Sequence, residues 1–345
     1  MQPRLQYGWI PIPLSMRLVR TAKNVFQKSP IVIRSRSTFV HLIFLLSIEC
    51  RPLLELSMKR CHLVSLMIRV LAFFLAVQSS LFAAFAIEGQ VLAVNSEARS
   101  LEIEVSKSAD SKSAPGDKQL FRVSRGDLEI GYLGRSIRAN AAFYNKSWHL
   151  EQIFPIDGEG AEAVARANRV LHRATAAMKR GKFLRVGDAI PNFGMIDQNG
   201  AFVQIKDLKG KPFVMNFIFT RCAAPTMCPA SSTKMEKLQE EAREAGLDDL
   251  HFVTISFDPA FDSPGILRSY AKGYGMELEN FHLLTYSQEL IDDLLRQVGI
   301  LTIEEDGTIN HTMATLLVDA EGRVAHRIEG PSWKVEEFLE AVRKL

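Results

Sequence analysis

Apolar and polar positions alternate in the first part of the chain beyond Glu88. Leu101, Ile103 and Val105 alternate with Ser100, Glu102 and Glu104, and Phe121 and Val123 repeat the pattern. That is the period of a strand with one buried face. The stretch 106–117 is rich in Ser, Lys, Pro and Gly and predicts a surface connection. Trp148 and Leu150 offer packing positions on a closing strand. Short strands without helical period over 88–155 predict a small all-β domain, a barrel of OB-like type. The period then changes. Val164, Ala167, Leu171, Ala174 and Met178 recur at intervals of three and four, with His172 off that seam. They predict a connector helix over 160–181, closed by Lys179, Arg180 and Gly181.

Residues 183–345 have an α/β texture. Lys211 to Phe219 is almost continuously apolar, as in a central strand buried on both faces. A helix over 229–245 turns Met235, Leu238 and Ala242 inward, and 252–257 is a second buried strand. Helices follow over 266–272 and 289–298. A hairpin then joins 313–318 to 324–328 around Asp319 and Gly322, and a last helix buries Val335, Phe338, Leu339 and Val342. Strands alternating with helices, then a hairpin and a terminal helix, predict an α/β thioredoxin-like domain.

The front of the chain reads as targeting sequence. Arg60 and Arg69 precede an apolar run, Val70 to Ala86, that closes on Ala84-Phe85-Ala86. A positive region, an apolar region and an A-x-A site make a secretory signal peptide over 58–86. The run is also long enough to remain as a membrane anchor. Residues 1–57 are then an upstream mistranslation or an extended leader. Charge agrees with the division. Residues 1–87 hold 11 Lys/Arg and 2 Asp/Glu of the totals of 42 and 39, which leaves 31 basic and 37 acidic residues beyond them. An acidic mature part argues against a nucleic-acid partner. The expected location is the periplasm, or the inner membrane facing it.

Cysteine usage sharpens the picture. Cys50 and Cys61 fall in the leader, so the exported part carries only Cys222 and Cys228. Two neighbouring cysteines in an oxidising compartment make a redox pair, a soft-metal site or a short structural disulfide. A buried strand leads into their loop and a helix begins at the second, where the helix N-terminus is expected to favour a thiolate. Thiolate serves both disulfide exchange and Cu(I), so the cysteines alone leave both open. His311 lies just before the strand expected beside the one leading to the cysteines. Two thiolates and an imidazole form a soft, low-coordinate set suited to copper. Met227 and Met313 are read as packing residues, and the barrel, whose one histidine is His149 and which has no Met, as a structural or docking module.

Phe219-Thr220-x-Cys222, Cys228-Pro229, Ser256-Phe257-Asp258-Pro259 with Asp262-Ser263-Pro264, and His311 ahead of Leu317-Val318-Asp319-x-x-Gly322 together resemble the SCO/SenC family. The resemblance covers 183–345. It implies a thioredoxin-like, copper-binding factor for assembly of the cytochrome oxidase copper centre. Its copper ligands would be Cys222, Cys228 and His311, with Asp258 a supporting acid or simply a strand-end turn. The same two cysteines would carry any thiol–disulfide activity, and the copper-site subunit of the oxidase would be the partner. The family places three residues between its cysteines; this chain places five. The competing reading is a periplasmic thiol–disulfide oxidoreductase of the thioredoxin superfamily without copper. A peroxidatic enzyme fits less well. Gly187 to Phe193 opens as peroxiredoxins do, but the threonines stand two positions before each cysteine, not three.

The leader reading is checked by N-terminal sequencing of the exported protein, which is expected to begin at Ile87. Recovery of an intact Met1 on a soluble cytoplasmic product would overturn it.

Overall fold

The computed structural model describes residues 84–345 except 112, 306 and 307. The leader, Cys50 and Cys61 lie outside the described residues. Everything described belongs to one compact unit, and among the described residues no helix is long and apolar enough to cross a membrane.

Five strands form a closed barrel: β1 (Phe85–Asn95), β2 (Ser100–Ser108), β3 (Lys118–Arg122), β4 (Ser136–Tyr144) and β5 (Ser147–Pro155). They run in the order β1-β2-β3-β5-β4, with β4 closing antiparallel onto β1. Leu101, Ile103 and Val105 point into the barrel together with Ile87, Val91, Phe121, Ile137, Leu150 and Ile153, all buried. The alternation therefore reads as expected. The first strand begins at Phe85, inside the A-x-A motif.

One element of the barrel region departs from the all-β expectation. A short helix, α1 (Arg125–Ile130), lies between β3 and β4. Six residues are too few to display a helical period, and capping fixes it instead: the Ser124 hydroxyl accepts the backbone N–H of Asp127.

The connector is α2 (Ala161–Ala176). Its buried seam is Val164, Ala167, Leu171 and Thr175; Ala174 is exposed, contrary to expectation. The strict four-residue step from Leu171 lands on Thr175, whose hydroxyl accepts Gln297 Nε2 at 2.9 Å, so a polar residue is buried without an unpaired atom. The helix lies close over Gly194, where a Cβ would come within 2.6 Å of Val164.

The second domain is a seven-stranded sheet built from β6 (Gly194–Asp197), β7 (Phe202–Gln204), β8 (Phe213–Ile218), β9 (His251–Ser256), β10 (Phe281–Thr285), β13 (Ala314–Val318) and β14 (Val324–Glu329). The order is β14-β13-β8-β9-β10-β6-β7. The pairs β8–β9 and β9–β10 are parallel, and the remaining neighbours are antiparallel. Every residue of β8 and β9 is buried.

Helices α3 (Cys228–Glu244), α4 (Pro264–Tyr274) and α6 (Val335–Val342) pack Met235, Leu238, Leu267 and Phe338 into one apolar cluster. Helix α5 (Gln288–Val298) and α2 contribute Ile291, Leu294 and Leu171 to the other. This is the thioredoxin-like arrangement that the periodicity predicts. A two-stranded ribbon, β11 (Thr302–Glu305) with β12 (Thr308–His311), was not foreseen, because four-residue strands carry too little alternation to register.

Barrel and sheet meet where α1 crosses α4. A Cβ on Gly126 would lie 1.9 Å from the Gly265 carbonyl oxygen, and one on Gly265 would lie 2.2 Å from Asp127 Oδ1, so the two backbones touch. Glu129 accepts Arg268 at 3.1 Å and Lys272 at 2.5 Å across the same seam. Asp127 is buried there, accepting the hydroxyls of Ser124 at 2.6 Å and Tyr132 at 3.3 Å. Burial outweighs those bonds and raises its carboxyl to about 6.

A carboxyl raised on folding contributes stability that is fully present below its unfolded pKa and is lost as pH rises through its folded one. Stability is therefore expected to fall by about 2 kcal/mol between pH 4 and 7 through Asp127 alone. Urea titrations of Asp127→Asn should lack that component; an unchanged pH profile would count against a buried, protonatable Asp127.

Candidate metal centre

The central strand β8 delivers the chain to Phe219, after which the two cysteines follow in quick succession. The loop is folded tightly: Cys222 N–H donates to Phe219 O at 3.3 Å and Met227 N–H to Ala224 O at 3.1 Å. The five intervening residues form a turn, and Cys228 opens α3 with Pro229 in its first turn. His311 ends β12, next to β13, and β13 pairs with β8 through Leu316 and Met215. Sheet order thus brings residues 83 positions apart to one place: Cys228 Sγ lies 3.5 Å from His311 Nε2.

Cys222 Sγ, Cys228 Sγ and the His311 ring nitrogen all lie within 4.8 Å of one another. They are the only such group of three ligand-bearing side chains among the described residues. Both cysteines are free thiols. Cys228 is fully buried, while Cys222 and His311 are half-buried.

The imidazole is held in one tautomer. Its Nδ1 lies 3.0 Å from the Thr312 carbonyl oxygen, which can only accept, so Nδ1 carries the proton and Nε2 presents its lone pair to the sulfurs. Phe257 and Phe219 pack against the ring at 4.7 and 5.8 Å. Burial in this apolar setting lowers the pKa of His311, which keeps the imidazole neutral and ligand-ready. A neutral imidazole and two sulfurs beside an aromatic wall suit a soft cation.

The helix N-terminus was expected to favour a Cys228 thiolate. The structure corrects this: burial pushes the Cys228 thiol well up, and the backbone N–H groups only partly offset it. A fully covered sulfur loses more by desolvation than the helix end returns. Cys228 is a protonated thiol that donates to His311 Nε2.

Asp258 is not part of this group. It is buried and accepts Arg221 Nε at 2.5 Å, while its own N–H donates to Ser256 Oγ at 3.2 Å. Asp258 thus closes a strand-end turn and holds Arg221, the residue next to Cys222.

Arg221 and the roles of Thr220 and Asp262 escaped the sequence reading. Asp262 is fully buried and accepts Thr220 N–H at 3.0 Å, the Thr220 hydroxyl and the Ser256 hydroxyl. The Phe-Thr-x-Cys and Asp-Ser-Pro motifs were the available signals, and a motif names its residues without showing what each one holds. In the barrel, His149 stacks on Tyr144 at 3.8 Å and bonds Ser147, outside any group of ligands. Met313 is buried, as a packing residue is.

A thioredoxin-like domain with two thiols at the strand-to-helix turn and a facing imidazole defines a class of soft-metal or thiol-redox proteins. The profile described as SCO1/SenC matches residues 185–345. The SCO1 protein homolog of Bacillus subtilis is 30% identical over 142 residues, covering 40% of this chain and 72% of the relative. The chain belongs to the SCO1/SenC family. Among solved structures, a SCO1/SenC family lipoprotein from Bacillus anthracis shares 31% identity at a TM-score of 0.44, covering 48% of this chain and 99% of that one. Bradyrhizobium japonicum ScoI, solved with copper bound, shares 26% at a TM-score of 0.39, covering 47% and 100%. The barrel precedes the matched region.

The unequal exposure of the two sulfurs has a direct consequence. Iodoacetamide is expected to alkylate Cys222 at least about tenfold faster than the buried Cys228, since access and thiolate character set the rate. Peptide mass spectrometry at short times reads the ratio, and equal rates would contradict the burial described.

Proposed function

We propose that this chain is an exported, copper-binding metallochaperone with thiol–disulfide chemistry, serving assembly of a cytochrome oxidase copper centre. The observation that carries the proposal is the meeting of Cys222, Cys228 and His311 within 4.8 Å, with the Nε2 lone pair turned toward the sulfurs. Family membership supports it, as does the relative solved with copper bound. Structural zinc normally takes four ligands, whereas Cu(I) accepts three soft ones. Copper is the cargo here. Cys222 and Cys228 would each give up a proton to bind it, and His311 would complete the set without releasing one. The half-exposed Cys222 faces a recipient and the covered Cys228 anchors the cargo from below. The periplasm, or the membrane surface facing it, is the compartment of action, supported by the apolar run that ends at Ala86.

The sulfurs also permit a second process on the same residues. Two thiols can close to a disulfide, passing two electrons and two protons to a disulfide partner that becomes two thiols. The asymmetry of His311 separates the two roles. The reduced protein is expected to bind one copper ion by elemental analysis after desalting. Cys222→Ser or Cys228→Ser should abolish tight binding. His311→Ala should weaken it by at least about tenfold, in the range of losing a ligand or its orientation, while the disulfide still forms. If His311→Ala binds copper as tightly as the parent, or if the reduced parent binds none while the pair still exchanges with glutathione, the oxidoreductase reading replaces this one.

A further inference from the structure

The barrel lies outside the family domain, yet it grips the segment that shapes the metal loop. Residues 258–263 form a compact turn between β9 and α4: Phe261 N–H and Asp262 N–H both donate to the Asp258 carbonyl, at 3.0 and 2.8 Å, and Ser263 N–H donates to Phe261 O at 3.0 Å. One end of the turn holds Arg221 through Asp258, and the other holds Thr220 through Asp262. Arg221 and Thr220 are the two residues immediately before Cys222. The Phe261 ring lies 5.7 Å from the Arg221 guanidinium carbon.

A barrel residue reaches the middle of this turn. Gln152 Nε2 donates to the Ala260 carbonyl, and Gln152 Oε1 accepts Asn140 Nδ2 at 2.5 Å. Strand β5 departs from regular pairing at this point: the register with β4 shifts between Arg138 and Asn140, and Gln152 has φ of +53°, a left-handed conformation that non-glycine residues seldom adopt. Bulges of this kind re-aim a side chain, and this one aims an amide out of the barrel into the neighbouring domain. The far end of the turn is clamped as well, because Gly126 and Asp127 press on Gly265 at the start of α4.

We propose that Gln152 is a positioning residue for the metal centre. Through the turn 258–263 it sets the placement of Arg221 and Thr220, and so of Cys222, which makes the barrel a brace for the thiol loop. The inference rests on the copper reading for one of its two readouts and is independent of it for the other.

The test uses the full chain with two substitutions. Gln152→Glu keeps the size and an acceptor for Asn140 but cannot donate to Ala260. Gln152→Gly keeps the left-handed backbone at no steric cost and removes the amide. The first readout is copper affinity by chelator competition. The second is the thiol–disulfide equilibrium of Cys222–Cys228 against glutathione, in which two protein thiols give two electrons and two protons to glutathione disulfide, forming two glutathione thiols. Near-UV circular dichroism and the melting temperature report on the fold.

Both variants are expected to shift the glutathione equilibrium by about fivefold, a typical size for coupling through a packed network, and to weaken copper binding similarly, with native dichroism retained. A parent that binds no copper defeats the proposed function while the glutathione equilibrium still tests Gln152. If either natively folded variant matches the parent in both readouts, or if a shift occurs only together with loss of native dichroism, Gln152 does not position the site.

Discussion

Cys228 combines two opposing influences. It stands at the first turn of α3, where free N–H groups favour negative charge, yet it has no solvent exposure, and burial prevails. The sulfur therefore remains a thiol that faces His311 Nε2 at 3.5 Å. A soft cation changes this balance, because it supplies in place the positive charge that water cannot. Partial burial likewise lowers the pKa of His311, so the buried thiol and the half-buried imidazole are both uncharged and need no counter-ion. Much of the surrounding structure serves to hold these two groups together. Phe219 and Phe257 pack against the ring, and Thr312 fixes its tautomer.

Charge is present near the centre but displaced from it. Asp258 and Asp262 are both buried, and each is occupied with orienting the loop: one holds the Arg221 side chain, the other the backbone and hydroxyl of Thr220. A carboxylate engaged by Arg, or by three hydrogen bonds, has little capacity left to compete for a soft metal. The acidic residues confer geometry, while the sulfurs and imidazole are the soft donors of the group. This division explains how a loop of five residues between the cysteines stays compact: it is tethered on its upstream side by Thr220 and Arg221 and on its downstream side by α3.

The joint between barrel and sheet follows a different logic. Two glycines allow backbone contact at the crossing of α1 and α4, and a cluster of Glu129 with Arg268 and Lys272 lines its edge. The buried Asp127 makes the seam sensitive to protonation. A joint built on backbone approach tolerates little sliding, since any side chain added at Gly126 or Gly265 would collide with the opposing chain.

Most elements were legible in the amino-acid order because burial imposes periods: the alternation of Leu101, Ile103 and Val105, the seam of α2, and the unbroken apolar run of β8. That Cys222, Cys228 and His311 would come together was legible too, because Cys and His are chemically distinctive and the flanking motifs resemble a known family. What periodicity could not carry was anything shorter than its own repeat, namely α1 and the ribbon β11–β12, or anything set by competition between environments. Thr175 displaced Ala174 from the buried seam because Gln297, 122 positions away, satisfies its hydroxyl. The raised Cys228 thiol needed the depth of the sulfur, and the roles of Arg221 and Asp262 needed the turn that faces them. Local order determines which residues can bury themselves and which can bind. Tertiary structure alone decides which of them meet and how far each is removed from water, because both depend on contacts between segments that the chain keeps far apart.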